Sequence, residues 1–242
     1  RESVAAIESS LARALCWSAA WDMTRDAELA AGDFVTMVLN GLGQETDDTA
    51  AKQLPVYVEI AINQFATNSS TLVAHANATN AEAVNSLMKN VADRWGSIHG
   101  LCSLVGGWAG GRDVAETDDV RFERMIDLNL RSAFYAVRAV VPYLVETGWG
   151  RIVTVGSRSA VDHPTGQAAF NVAKAGVVAL TKSVAQELDG TGVTANVLLP
   201  SVIDTPATRK SLPFADYVNW PTPDEIAAVA HFLLTDDSGV IN

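Results

Sequence analysis

From residue 71 onward the chain alternates short apolar runs with stretches of helical period, and this alternation constrains the fold more than any other feature. Residues 71–74, 98–105, 151–156 and 193–199 read as strands. Residues 81–95, 120–147, 165–189 and 224–235 read as helices, with apolar positions recurring every three to four residues. Asn80 is placed to cap the first of these helices and Gly96 to stop it. Pro142 marks an expected kink or junction in the second, and Thr222 or Asp224 caps the last. A strand that is apolar at successive positions must be buried on both faces. A parallel sheet flanked by helices provides that burial, so the expected fold class is α/β with a doubly wound parallel sheet. Ligands of such sheets bind beyond the carboxyl ends of the strands. Three distinctive segments fall at those ends: the glycine-rich turn from Gly106 to Gly111, Ser157, and the loop opened by Pro200. They are expected to converge on one crevice.

The first seventy residues follow a different pattern. Residues 2–31 are helical in composition, which predicts a helical N-terminal extension over 1–32 before a single domain over 33–242. Strands are expected at 34–39 and 56–62. A chain of 242 residues is long enough to bury a large core, and its net charge of −11 repels phosphate backbones, which argues against a nucleic-acid partner. No run of eighteen apolar residues predicts a membrane span. Cys16 and Cys102 are far apart and read as free thiols of a reducing, cytoplasmic compartment. Neither they nor His75, His99 and His231 have a metal-binding spacing, so no metal site is expected.

Ser157 follows an apolar run, and thirteen positions later comes Phe170-Asn171-Val172-Ala173-Lys174. Upstream lies Asp127-Leu128-Asn129-Leu130, and downstream Pro200-Ser201-Val202-Ile203-Asp204-Thr205-Pro206. Together these segments resemble the short-chain dehydrogenase/reductase family, and the glycine-rich turn with the segment after Asp204 looks like its dihydropteridine reductase branch. The resemblance implies a Rossmann-like domain with Ser157, Lys174 and Asn129 in the catalytic positions. It also implies cofactor contacts from Gly106, Pro200, Ile203 and Thr205, a first dinucleotide-loop glycine at Gly41, and a homodimer or homotetramer.

Two departures shape the functional expectation. Phenylalanine at 170 stands where the family has its tyrosine, and it has no ionisable proton to give. Glu45 and Asp47 stand where the dinucleotide loop should carry glycines, and carboxylates there repel a pyrophosphate. The expected function is accordingly a non-redox step on a small carbonyl-containing molecule (cyclisation, dehydration or isomerisation) with no cofactor. One alternative is an NAD(P)H-dependent carbonyl reductase with an unusual proton donor, and another is a non-catalytic partner subunit. His163, in the loop between Ser157 and Phe170, is a candidate replacement acid because histidine titrates near neutrality; a solvent-facing loop histidine is the plainer reading. Phe170, Trp108, Tyr217 and Trp220 are candidate walls of the substrate pocket, the two tryptophans and the tyrosine lying on loops at its mouth.

Overall fold

The computed structural model describes residues 74, 76–216 and 219–242. The expected N-terminal extension over 1–32, its boundary at 33, the strands at 34–39 and 56–62, Gly41, Glu45, Asp47, Cys16 and Tyr217 lie outside the described residues, as does the strand at 71–74 apart from Ala74. Residues Ala76–Asn242 form one compact unit.

Helix α1 (Ala81–Trp95) starts where the Asn80 side chain accepts the Ala83 N–H and stops at Gly96, whose φ of 81° turns the chain into the left-handed region. Three parallel strands follow in chain order: β1 (Gly100–Ser103), β2 (Gly150–Val155) and β3 (Val193–Leu198). Gly100 is in register with Arg151, and Gly150 with Val193. Side chains alternate across the sheet, so successive residues of β2 serve different cores. Ile152 packs with Val137, Val140, Leu144, Val184 and Leu188. Val153 packs with Ala230 and Leu233 instead. Each such fully buried aliphatic side chain contributes roughly 1.5–3 kcal/mol. Helices therefore cover both faces, as the continuous apolar runs require, and the architecture is a Rossmann-like α/β fold around a parallel sheet.

The long helix expected over 120–147 is three segments. Helix α2 (Asp119–Met125) begins where Asp118 accepts the Arg121 N–H at 2.7 Å. A π-helical turn (Ile126–Arg131) follows, and then helix α3 (Ser132–Thr147), which ends at Gly148. No helix junction falls at Pro142: α3 is continuous through it. The irregularity lies at Asn129, whose Nδ2 donates to the Met125 carbonyl at 3.0 Å and competes with the backbone ladder. Ser132 N–H accordingly bonds the Asp127 carbonyl, five residues back.

Beyond β2 the chain forms a short helix α4 (Ser159–Asp162) and the long helix α5 (Ala168–Glu187). Gly166, at φ 72°, delays the start of α5 past the expected residue 165. The loop expected after β3 contains helix α6 (Pro206–Ser211), capped by Thr205. Helix α7 (Pro223–Leu233) is opened by a capping box between Thr222 and Glu225.

The amino edge of the sheet is tightly joined. Gly192 has φ 81°, and a Cβ there would fall 2.2 Å from the Gly148 carbonyl oxygen. Arg151 is buried; its Nη1 donates to the Gly150 and Gly192 carbonyls (2.8 and 3.2 Å) and its Nε to the Thr235 carbonyl (3.2 Å). Its guanidinium also lies 4.5 Å from the Trp149 ring centroid.

Candidate active site

The carboxyl edge is built differently. β1 delivers the chain to Gly106 and Gly107, where the π turn meets it. The Asn129 amide is fully buried and holds Gly107 from both sides, accepting its N–H at 3.1 Å and donating to its carbonyl at 2.9 Å. Apart from a longer approach of Nδ2 to Met125 Sδ at 3.9 Å, the Asn129 side chain is spent on the backbone of Gly107 and Met125. Asn129 is thus a positioning residue that fixes the turn after β1. Gly106 must stay bare: a Cβ would lie 2.9 Å from Asn129 Oδ1 and 3.2 Å from Lys174 Nζ.

Lys174 comes from α5 and is buried. Its Nζ donates to the Val155 carbonyl at 2.8 Å, two residues before Ser157. No carboxylate among the described residues pairs with it, and burial lowers its pKa from 10.5 to about 8. Phe170 lies one turn earlier on α5, buried against Met125, Ala169 and Ala173, with its ring centroid 5.9 Å from Lys174 Nζ. The ring therefore flanks the ammonium and packs into the core. Ser157 is half-buried; its Oγ accepts the Ser159 N–H at 3.1 Å, which leaves its own O–H available to a ligand oxygen.

The remaining candidates divide. Pro200 joins the two strand-end loops, its carbonyl accepting the Arg158 N–H at 2.9 Å. Ile203 and Thr205 are half-buried in the following loop, and the Thr205 hydroxyl is engaged as the cap of α6, accepting the Thr208 N–H at 3.1 Å. Beside it Arg209 grips Asp204 through two contacts of 2.5 and 2.6 Å, and this hydrogen bonding holds the Asp204 carboxyl below its ordinary range. Trp108 is mostly exposed, and its indole N–H donates to Gln167 Oε1 at 2.7 Å. Trp220 is half-buried in the segment before α7. His163 is not joined to the Lys174 group. It caps α4 in the left-handed region at φ 48° and lines an open cavity of about 460 Å³ with Asp113, Val114 and Asn171. Neither Ser157 nor Lys174 borders that cavity.

Sequence reasoning missed two partners. The Val155 carbonyl anchors Lys174, but a backbone acceptor leaves no trace in residue identity. Gln167 ties Trp108 across 59 positions, and nothing local announces it. Among the described residues no group of His, Cys, Asp and Glu could hold a metal ion, and no helix is long and apolar enough to cross a membrane.

Gly106 leaves bare backbone at the end of β1, and Lys174 keeps two N–H donors without a partner among the described residues; both suit a hydroxyl-bearing ligand such as the ribose of a nicotinamide cofactor. The family model described as enoyl-(acyl carrier protein) reductase matches residues 51–242. A 3-oxoacyl-[acyl-carrier-protein] reductase of Synechocystis sp. is 32% identical over 71% of this chain and 71% of its own length. A 2-dehydro-3-deoxy-L-rhamnonate dehydrogenase (NAD(+)) of a Sphingomonas species is 32% identical over 69% of this chain and 71% of its own. The crystal structure of NAD+-bound xylitol dehydrogenase superposes with a TM-score of 0.68 at 21% identity, covering 79% of this chain and 82% of that one.

These matches correct three expectations: the non-redox reaction, the doubt that the chain is an enzyme running hydride transfer, and the absence of a cofactor. Relatives of this similarity are reductases and dehydrogenases, and one is named for NAD(+). The physical error was to equate a lost proton donor with a lost reaction. Hydride reaches the carbon, the proton reaches the oxygen, and Phe170 removes only one source of the latter. The family model over 51–242 and the relatives at 32% identity make this chain a member of the short-chain dehydrogenase/reductase family.

Proposed function

We propose that the protein is an NAD(P)(H)-dependent oxidoreductase that interconverts a carbonyl and an alcohol on a small organic molecule. The observation that carries this reading is the carboxyl-edge group: a bare Gly106, a turn fixed by Asn129, and a buried Lys174 with no acidic partner. When bound, the nicotinamide supplies or accepts hydride at carbon. The chain's own residues manage the oxygen. Ser157 donates its free O–H to the substrate oxygen and orients it. Lys174 places positive charge beside it. Gly106, Pro200, Ile203 and Thr205 border the cofactor, whereas Phe170, Trp108 and Trp220 shape the apolar side of the pocket. His163 lines a separate cavity and has no part in this reading.

Calorimetric titration with NADH, NADPH and NAD+ tests the reading. Binding of one of them tighter than about 100 μM, some 5.5 kcal/mol of affinity, is expected. Absence of binding by all three at millimolar concentration overturns it. A cytoplasmic, homo-oligomeric enzyme completes this reading. The oligomer is supported by apolar side chains exposed on α3 and α5, Phe134 at 42% and Val172 at 52%. Light scattering that gives a monomer at micromolar concentration would remove that part.

A further inference from the structure

We infer that Lys174 is the catalytic acid and base of this enzyme, delivering the proton to the carbonyl oxygen and removing it from the alcohol. The inference rests on the oxidoreductase reading above and assigns the proton that Phe170 cannot supply.

Four observations converge on it. Phe170 leaves hydrocarbon where a phenol would stand, so α5 offers one proton-bearing side chain at this edge, Lys174, one turn on. Its Nζ has a single acceptor, the Val155 carbonyl, so two N–H bonds remain for substrate and cofactor oxygens. Gly106 opens that side of the amine, since any side chain there would meet Nζ at 3.2 Å. Among the described residues no carboxylate is paired with the amine. Of the elements packed around it, β2 presents a backbone carbonyl and α5 the Phe170 ring. The π turn presents the neutral Asn129 amide, and its charged members, Asp127 and Arg131, pair with each other. Glu123 of α2 lies 3.8 Å from Arg131.

A lysine held this way is poised rather than permanently charged. Burial brings its pKa to about 8, close to working pH, where a group can both give and take a proton. In reduction the Lys174 N–H bond breaks as the O–H bond of the alcohol forms, while the carbonyl carbon gains hydride from the reduced nicotinamide. The neutral amine then recovers its proton from water. In oxidation the neutral amine would take the hydroxyl proton while the oxidised nicotinamide, when bound, takes the hydride from carbon.

The test combines a titration without cofactor and kinetics with it. Lysine amines of the cofactor-free protein are ¹³C-dimethylated and followed by NMR, with Lys174→Arg identifying the resonance. A Lys174 signal titrating near 8 is expected, and one titrating above 10 overturns the inference. With 2,3-butanedione as the carbonyl probe, kcat for reduction should fall as pH rises through about 8. Lys174→Met and Lys174→Arg should each lower kcat by about 100-fold or more, with NADH or NADPH affinity changed less than about threefold. Arginine keeps the charge but has no neutral form, which separates proton transfer from electrostatics. Unchanged kcat in both lysine variants overturns the inference while leaving the oxidoreductase reading intact. A loss confined to cofactor affinity does the same. Failure of the wild-type protein to bind any nicotinamide cofactor overturns both.

Discussion

Asn129 and Lys174 stand side by side at the carboxyl edge and differ in what they are free to do. Asn129 spends its amide on Gly107 and Met125, so its removal strands buried backbone groups. Asn129→Ala should destabilise the fold by about 2–4 kcal/mol in urea unfolding. Lys174 spends one N–H and is held against its own charge. Its amine titrates at about 8 when folded and near 10.5 when unfolded. The unfolded chain thus binds more protons between those values, and stability attributable to this group must rise with pH across that window. The wild type should gain on Lys174→Met by roughly 2–3 kcal/mol from pH 8 to 10.5, measured by chemical denaturation. Ser157, Asn129 and Lys174 were legible in the sequence because their spacing on strand end and helices carries the information. The partners that tune them were not. Backbone carbonyls at Val155, Gly107 and Met125 belong to any residue type, and only the fold selects them.

The elements whose determinants are local were the readable ones. Asn80 and Gly96 delimit α1, and the strands of the described sheet lie within two residues of their expected ends. Thr222 and Glu225 open α7 through reciprocal bonds, with the Thr222 N–H donating to Glu225 at 2.8 Å. Thr222→Ala should therefore cost about 1 kcal/mol, seen as a lowered midpoint in thermal or urea unfolding. The π turn was not readable for the opposite reason. Asn129 reaches a loop 22 positions away, and no window of sequence around the helix contains that partner. At Pro142 a local rule predicted a kink or junction, and no junction occurs there. Helix α6 escaped notice because six residues carry too little periodicity to stand out from a loop.

At the scale of the whole described unit, the sheet has two unlike edges. The amino edge is closed by Gly192 against Gly148 and by the carbonyl-saturated Arg151. Gly192→Ala combines a disfavoured φ with a backbone collision, and at least about 3 kcal/mol of stability should be lost in denaturant unfolding. The carboxyl edge is joined by links that leave its loops open: Asn129 to Gly107, Lys174 to the Val155 carbonyl, the Trp108 indole to Gln167, and the Arg158 N–H to Pro200. Side chains such as Trp108, His163 and Ile203 stand on loops there, not inside the packed layers. The two edges thus divide the labour of inheritance. Substitutions that retune what the enzyme accepts can accumulate on the exposed loops of the carboxyl rim, away from Gly106 and Asn129, with little effect on folding, whereas the opposite rim is nearly fixed. A library that varies positions 108, 163 and 203 and leaves 148–151 and 192 untouched should retain folded members in most clones while its substrate range broadens.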